Sequence, residues 1–221
     1  MRIRRQSRPT GWGSPERRTL AIGVVAGATT VAVLVGELGR VWRRGSAPLP
    51  QEADGLLVAA EEAVAETVEV AVAGYGDVST RENATFNMLG SFVTTFGVAR
   101  GITHLLRGRK TVGPFRNLKV GRRHIHHFVP GIVLAFASGA AGIITHEKRH
   151  MPILAVPFGV GMGLTLDESA LLLQLEDVYW TPDGILSVQI TLTVTAMLAA
   201  LALGLRFLRR GEELVLEPRS A

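Results

Sequence analysis

Three histidines and four carboxylates stand on two apolar stretches of this chain. The first stretch opens with Arg122-Arg123-His124-Ile125-His126-His127, and the second carries Asp167-Glu168 and then Glu176-Asp177. Neutral imidazoles and carboxylates are ligands for divalent transition metals such as Zn, Fe or Mn. If the two stretches form an antiparallel helical hairpin centred near Lys148, residues equidistant from the centre share a depth. His127 then lies level with Ser169, His126 with Ala170, and His124 with Leu172. Asp167 and Glu168 fall within about one helical turn of that level at 1.5 Å per residue. On a helix His124 and His127 share a face, while His126 points elsewhere. The expected site is therefore a polar cluster of His124, His126, His127, Asp167 and Glu168 near the cytoplasmic face, its activity unknown, with metal binding and hydrolysis as one chemistry open to it. The bland alternatives are histidines that meet lipid phosphates at the interface, and carboxylates held in structural ion pairs. Asp167 lies about 22 Å along a regular helix from Pro152, and a carboxylate there needs a cation, a metal or a proton. Arg100 and Arg123 are the rival partners to the histidines.

A second motif, Gly74-Tyr75-Gly76-Asp77, resembles the potassium-channel filter, whose backbone carbonyls replace the ion's hydration shell. Val72 and Ala73 stand where that filter has Thr and Val, so the inner hydroxyl is missing. The preceding segment is also acidic, with Glu61, Glu62, Glu66 and Glu69. A Gly-rich turn is the expectation, and an ion pathway through Gly74, Tyr75, Gly76 and Asp77 is the alternative.

Composition sets these motifs in a membrane. Of 221 residues 47% are hydrophobic and only 19% charged, where a soluble domain carries about a quarter charged. The charges are segregated between long apolar runs, the pattern of a multi-pass membrane protein. The absence of cysteine excludes disulfides, thiolate metal sites and Cys nucleophiles. The net charge of +5 belongs to Lys and Arg flanking the apolar runs, where they set topology and meet anionic lipid headgroups. No nucleic-acid module is present, nor a Walker loop or a Gly-x-Ser-x-Gly elbow.

The elements that must position these residues follow. The expected fold is an all-α transmembrane bundle with five spans at 20–39, 83–106, 125–145, 152–175 and 185–208. A basic tail, 1–18, precedes them and a short tail, 211–221, follows. The segment 53–73 reads as an amphipathic helix, because its four carboxylates forbid a lipid-facing span. Gly159 and Gly163 have the four-residue spacing of a close-packed helix face, and Ala135, Gly139 and Gly142 offer small surfaces on the third span. Loop 107–123 holds seven Lys/Arg and no Asp or Glu, so it should face the cytoplasm together with the N-terminus. Five full spans then place 13 Lys/Arg inside and 10 outside, whereas a re-entrant fourth segment gives 17 against 6. Five full spans are retained, with the side of the C-terminus left open.

The motifs Arg123-His124-Ile125-His126-His127-Phe128-Val129-Pro130-Gly131, Leu164-Thr165-Leu166-Asp167-Glu168-Ser169-Ala170-Leu171-Leu172 and Leu175-Glu176-Asp177-Val178-Tyr179-Trp180 resemble those of a family of uncharacterised integral membrane proteins from high-GC Gram-positive bacteria. The resemblance runs from about Glu66 to the end of the last span. It implies membrane placement and implies no activity. Three classes stay open: a metal-dependent membrane enzyme acting on lipid-linked substrates, an ion or proton transporter or channel, and a structural membrane protein. The partners expected are the bilayer and its anionic headgroups, with oligomerisation open.

Overall fold

The computed structural model describes residues 15–49, 55–106, 128–167 and 182–216, with the pairs 111–112, 115–116, 119–120 and 123–124. Six α-helices make up nearly all of it: α1 (Pro15–Arg44), α2 (Leu56–Asp77), α3 (Thr80–Leu106), α4 (Phe128–Ile144), α5 (Met151–Asp167) and α6 (Pro182–Val215). Two-residue strands β1 (Thr111–Val112), β2 (Phe115–Arg116), β3 (Lys119–Val120) and β4 (Arg123–His124) pair as two antiparallel ladders between α3 and α4. The all-α class expected from hydrophobic patterning holds.

The long helices stand side by side in the order α1, α6, α3, α5, α4, and α2 packs across α6 and α1. Their directions follow from who meets whom. Gly23 faces Ile190, and Arg40 reaches Glu212, so α1 and α6 run parallel. Arg206 meets Glu82 and Gln189 meets Arg100, so α3 runs against α6. One end of the row thus gathers the starts of α1, α4 and α6 with the ends of α3 and α5. This is the Arg100 end, and the opposite one is the Glu212 end.

The α4–α5 hairpin has the register that the sequence implies. Gly131 packs on Gly161, Leu164 and Thr165, and Gly139 packs on Phe158, each pairing close to a centre at Lys148. A 3-10 turn, Lys148–His150, makes the bend. Small residues then decide the lateral order. A Cβ on Gly159 would stand 2.2 Å from the Met88 carbonyl oxygen, and one on Gly163 2.9 Å from that of Phe92. The four-residue glycine spacing of α5 is therefore its α3 face, and Gly161, between them, is its α4 face. Backbones approach this closely only where side chains are missing.

Several boundaries differ from expectation. α2 continues through Gly74-Tyr75-Gly76 to Asp77 instead of ending near 73. Its buried face, Ala59, Ala63, Val70 and Gly74, lies on α1 and α6, and that packing outweighs the helix-weakening glycines. α6 runs on to Val215, past the tail expected from 211, because Gly211 meets α2 and Glu212 pairs with α1. α4 begins at Phe128, which places Pro130 in its first turn, where the missing N–H is no loss. His124 consequently belongs to β4 and not to the third helix. Residues 168–175 of the expected fourth span lie outside the described residues. Among the described residues, two stretches, Ala21–Arg44 and Val188–Val215, are long and apolar enough to cross a membrane, and Phe128–Ile144 is a shorter apolar helix.

Candidate functional site

Asp167 is the one member of the expected five-residue site whose side chain is described, and it meets a cation. Its carboxylate side chain is 2% exposed and sits 2.9 Å from the Arg100 Nε, while Arg100 remains 42% exposed. A third helix completes the cluster. Arg100 Nη2 donates to the Gln189 Oε1 at 2.6 Å and to the Asp167 carbonyl oxygen at 3.3 Å. Gln189 Nε2 donates to the Leu166 carbonyl at 2.7 Å. These carbonyls belong to the last turn of α5, where intrahelical donors run out and a cation is favourable. Phe96, one turn before Arg100, sets its ring 5.4 Å from the guanidinium carbon, a cation–π distance.

The cluster explains itself physically. Gly163 and Phe92 fix the α3–α5 contact, and one to two turns onward Asp167 and Arg100 fall opposite each other. A buried carboxylate without a counterion would be severely penalised, and Arg supplies both charge and directed donors. The fourth-segment acid thus has Arg100, the rival partner, beside it. Of the remaining expected ligands, His126, His127, Glu168, Glu176 and Asp177 lie outside the described residues. His124 is paired through its backbone with Lys119 across β3 and β4, so face-sharing with His127 on one helix does not apply to it. Among the described residues, no three His, Asp or Glu side chains gather as a metal-ligand set.

Gly74, Tyr75, Gly76 and Asp77 are helical, which corrects the expected turn. A Cβ on Gly74 would stand 1.8 Å from the Phe207 carbonyl oxygen, and one on Gly211 1.7 Å from that of Val70. Tyr75 ties three helices together. Its carbonyl accepts from Asn83 Nδ2 and its hydroxyl from Asn87 Nδ2, each at 2.9 Å, and Asn87 also donates to the Pro152 carbonyl. Asp77 pairs with Arg210. A filter directs successive carbonyls at one ion, whereas helical carbonyls follow the helix axis.

The Glu212 end carries a charge network that sequence inspection missed. Buried Glu212 accepts from both Arg40 and Arg44, Arg209 reaches Glu37 at 3.0 Å, and Arg206 reaches Glu82 at 2.9 Å. Ser79 and Glu82 form a reciprocal capping box at the start of α3. The Ser79 hydroxyl and backbone N–H, with Arg206 beyond, hold the Glu82 carboxyl below its ordinary value. Glu66, one of the four puzzling acids of α2, accepts from the Ser46 N–H at 2.6 Å and the Ala47 N–H at 3.2 Å. The available signals were Ser79-x-x-Glu82 at this end and, at the Arg100 end, the lone polar Gln189 within an apolar run. Comparison with protein-family models, curated proteins and solved structures gave no match to this chain.

Proposed function

We propose that this chain is a five-span integral membrane protein whose Arg100–Asp167–Gln189 cluster is a polar lock between helices rather than a catalytic centre. The observation that carries the reading is the Arg100–Asp167 ion pair. A carboxylate buried against a guanidinium already has its charge matched, so a metal at Asp167 would have to displace Arg100. The spans lie within α1, α3 (from 83 on), α4, α5 and α6, alternating in direction, with α2 lying across the Glu212 end. α5 runs beside α3 from the Asn87–Pro152 contact to the Arg100–Asp167 pair, which favours a full crossing over a re-entrant loop. The N-terminus and loop 107–123, with seven Lys/Arg and no acid, then share the cytoplasmic side. Cysteines placed singly at Asn117 and Ala221 test this. Impermeant reagent outside intact cells should label the second and miss the first; the reverse pattern, or equal labelling, would refute the topology.

A metal-binding reading has one observation in its favour. Counted outward from Lys148, His126 and His127 stand as far along the chain as Ala170 and Ser169, next to Glu168. The ligands would be His126, His127 and Glu168, with His124 and Asp167 beside them, and the ion Zn, Fe or Mn. Metal analysis of purified protein decides it. Stoichiometric metal lost in both His127→Ala and Glu168→Gln would establish the site.

A further inference from the structure

The long helices form an open row, so the molecule has two unlike edges. α1, with α2 against it, stands at one edge, and α4 stands at the other, packed on α5. Both edges carry charge at the Glu212 end. Glu62, Glu66 and Glu69 of α2 are spaced i, i+4, i+7 and so share one face of that helix. Glu66 accepts from the Ser46 and Ala47 N–H groups just past α1, which puts this face on the α1 edge. Glu62 and Glu69 are exposed, and neither has an ion-pair partner among the described residues. Arg40 and Arg44 are taken up by Glu212, which leaves Arg43 as the unpaired cation at this end of α1 among the described residues. Three carboxylates against Arg43 leave the edge net acidic.

The opposite edge ends in the α4–α5 turn. Its one acid, Glu147, is held by Arg149, and the exposed Lys148 has no ion-pair partner among the described residues. The turn spells His-Glu-x-x-His over His146–His150. A zinc protease sets both histidines of that motif on one helix face, whereas here His146 precedes the 3-10 turn and His150 ends it. The turn therefore presents a cation outward. Lys148 and the acids also lie at one end of the molecule. Tyr75 and Pro152 both meet Asn87 and so share a level. From Tyr75, α2 leads back past Gly211 to the residues beyond α1. Glu69 comes six residues before Tyr75, and Lys148 four before Pro152, so both stand on the Glu212 side of that level.

We infer that the α1–α2 edge docks a second copy of this chain, side by side in one bilayer, with Glu62 and Glu69 against the partner's Lys148. Copies in one membrane point the same way, so their Glu212 ends coincide, and joining unlike edges repeats the contact along a row. The inference rests on the membrane-spanning reading. Chain released from membranes by alkaline carbonate would overturn both, whereas the following test overturns the docking alone. Copies with two different tags are co-expressed, solubilised in mild detergent and scored for co-purification. Wild type should pair with wild type. Glu62→Lys with Glu69→Lys should lower self-pairing about fivefold, the scale of exposed attractions turned to repulsion, and Lys148→Glu with Arg149→Glu should do the same. Co-expressed with each other, the two reversed forms should pair as wild type does, which also shows that both fold. In wild-type membranes a carbodiimide should join Lys148 to Glu62 or Glu69 of another copy, read by mass spectrometry of the dimer band. Wild-type copies that fail to co-purify, or reversed copies that self-pair undiminished, would overturn the docking. So would two reversed forms that do not pair with each other.

Discussion

Gly74 of α2 and Gly211 of α6 meet backbone to backbone: a Cβ placed on either would lie within 3.0 Å of the other's amide nitrogen. The crossing lets Val70 join Val41 and Leu208 in a buried cluster, and it carries α2 over the ends of α1 and α6. Gly76, two residues on, faces open space, with nothing within 4 Å of where a Cβ would stand.

The two glycines of one tripeptide should thus answer oppositely. Gly74→Ala should destabilise the protein by about 2 kcal/mol or more, since overlap with backbone cannot be relieved by a rotamer change. Gly76→Ala should be neutral or stabilise by up to about 1 kcal/mol, the helix preference of Ala over Gly. Thermal unfolding in detergent measures both. A selective potassium current abolished by Gly76→Ala would restore the filter reading.

The lock has its own signature. Arg100→Met should lose about 3–5 kcal/mol by taking the guanidinium away from the buried Asp167 carboxylate, and Arg100→Met with Asp167→Leu should regain most of it. Chemical denaturation of the single and double variants would show this coupling as strong non-additivity. Additive losses would mean that the pair does not hold α3 to α5.

The capping box predicts a pH dependence. The Glu82 pKa is lowered in the folded protein by the Ser79 hydrogen bonds and Arg206. A depressed carboxyl stabilises fully above its unfolded pKa and loses that contribution as pH falls through the folded value. The start of α3 should therefore exchange its amide hydrogens faster at acid pH than near neutrality, after correction for intrinsic rates. Glu82→Gln should flatten that difference, and an unchanged profile would count against the box.

At the other glycine face, Gly159→Leu should separate α5 from α3 and lower stability by about 1–3 kcal/mol. Gly142→Leu, in open space on α4, should change it little. Detergent-resistant folding of the two variants, compared at one temperature, distinguishes them.

Much of this architecture is local and so legible in the residues. A short polar turn between two apolar runs forces them together, and counting outward from Lys148 gives the α4–α5 register. Glycines four apart mark a close helix contact, and an acid deep in an apolar run must find a partner. None of these rules names the partner, because that choice is made between segments far apart in the chain. Glu212 lies more than 160 residues from Arg40 and Arg44, and only the parallel placement of α1 and α6 joins them. Gly74 is a turn residue or a crossing residue according to whether Gly211 lies opposite. By residue type alone, the histidines and Arg100 are equal rivals for Asp167. The glycine face at 159 and 163 turns α5 onto α3, and the next turn of that same face brings the carboxylate to the guanidinium.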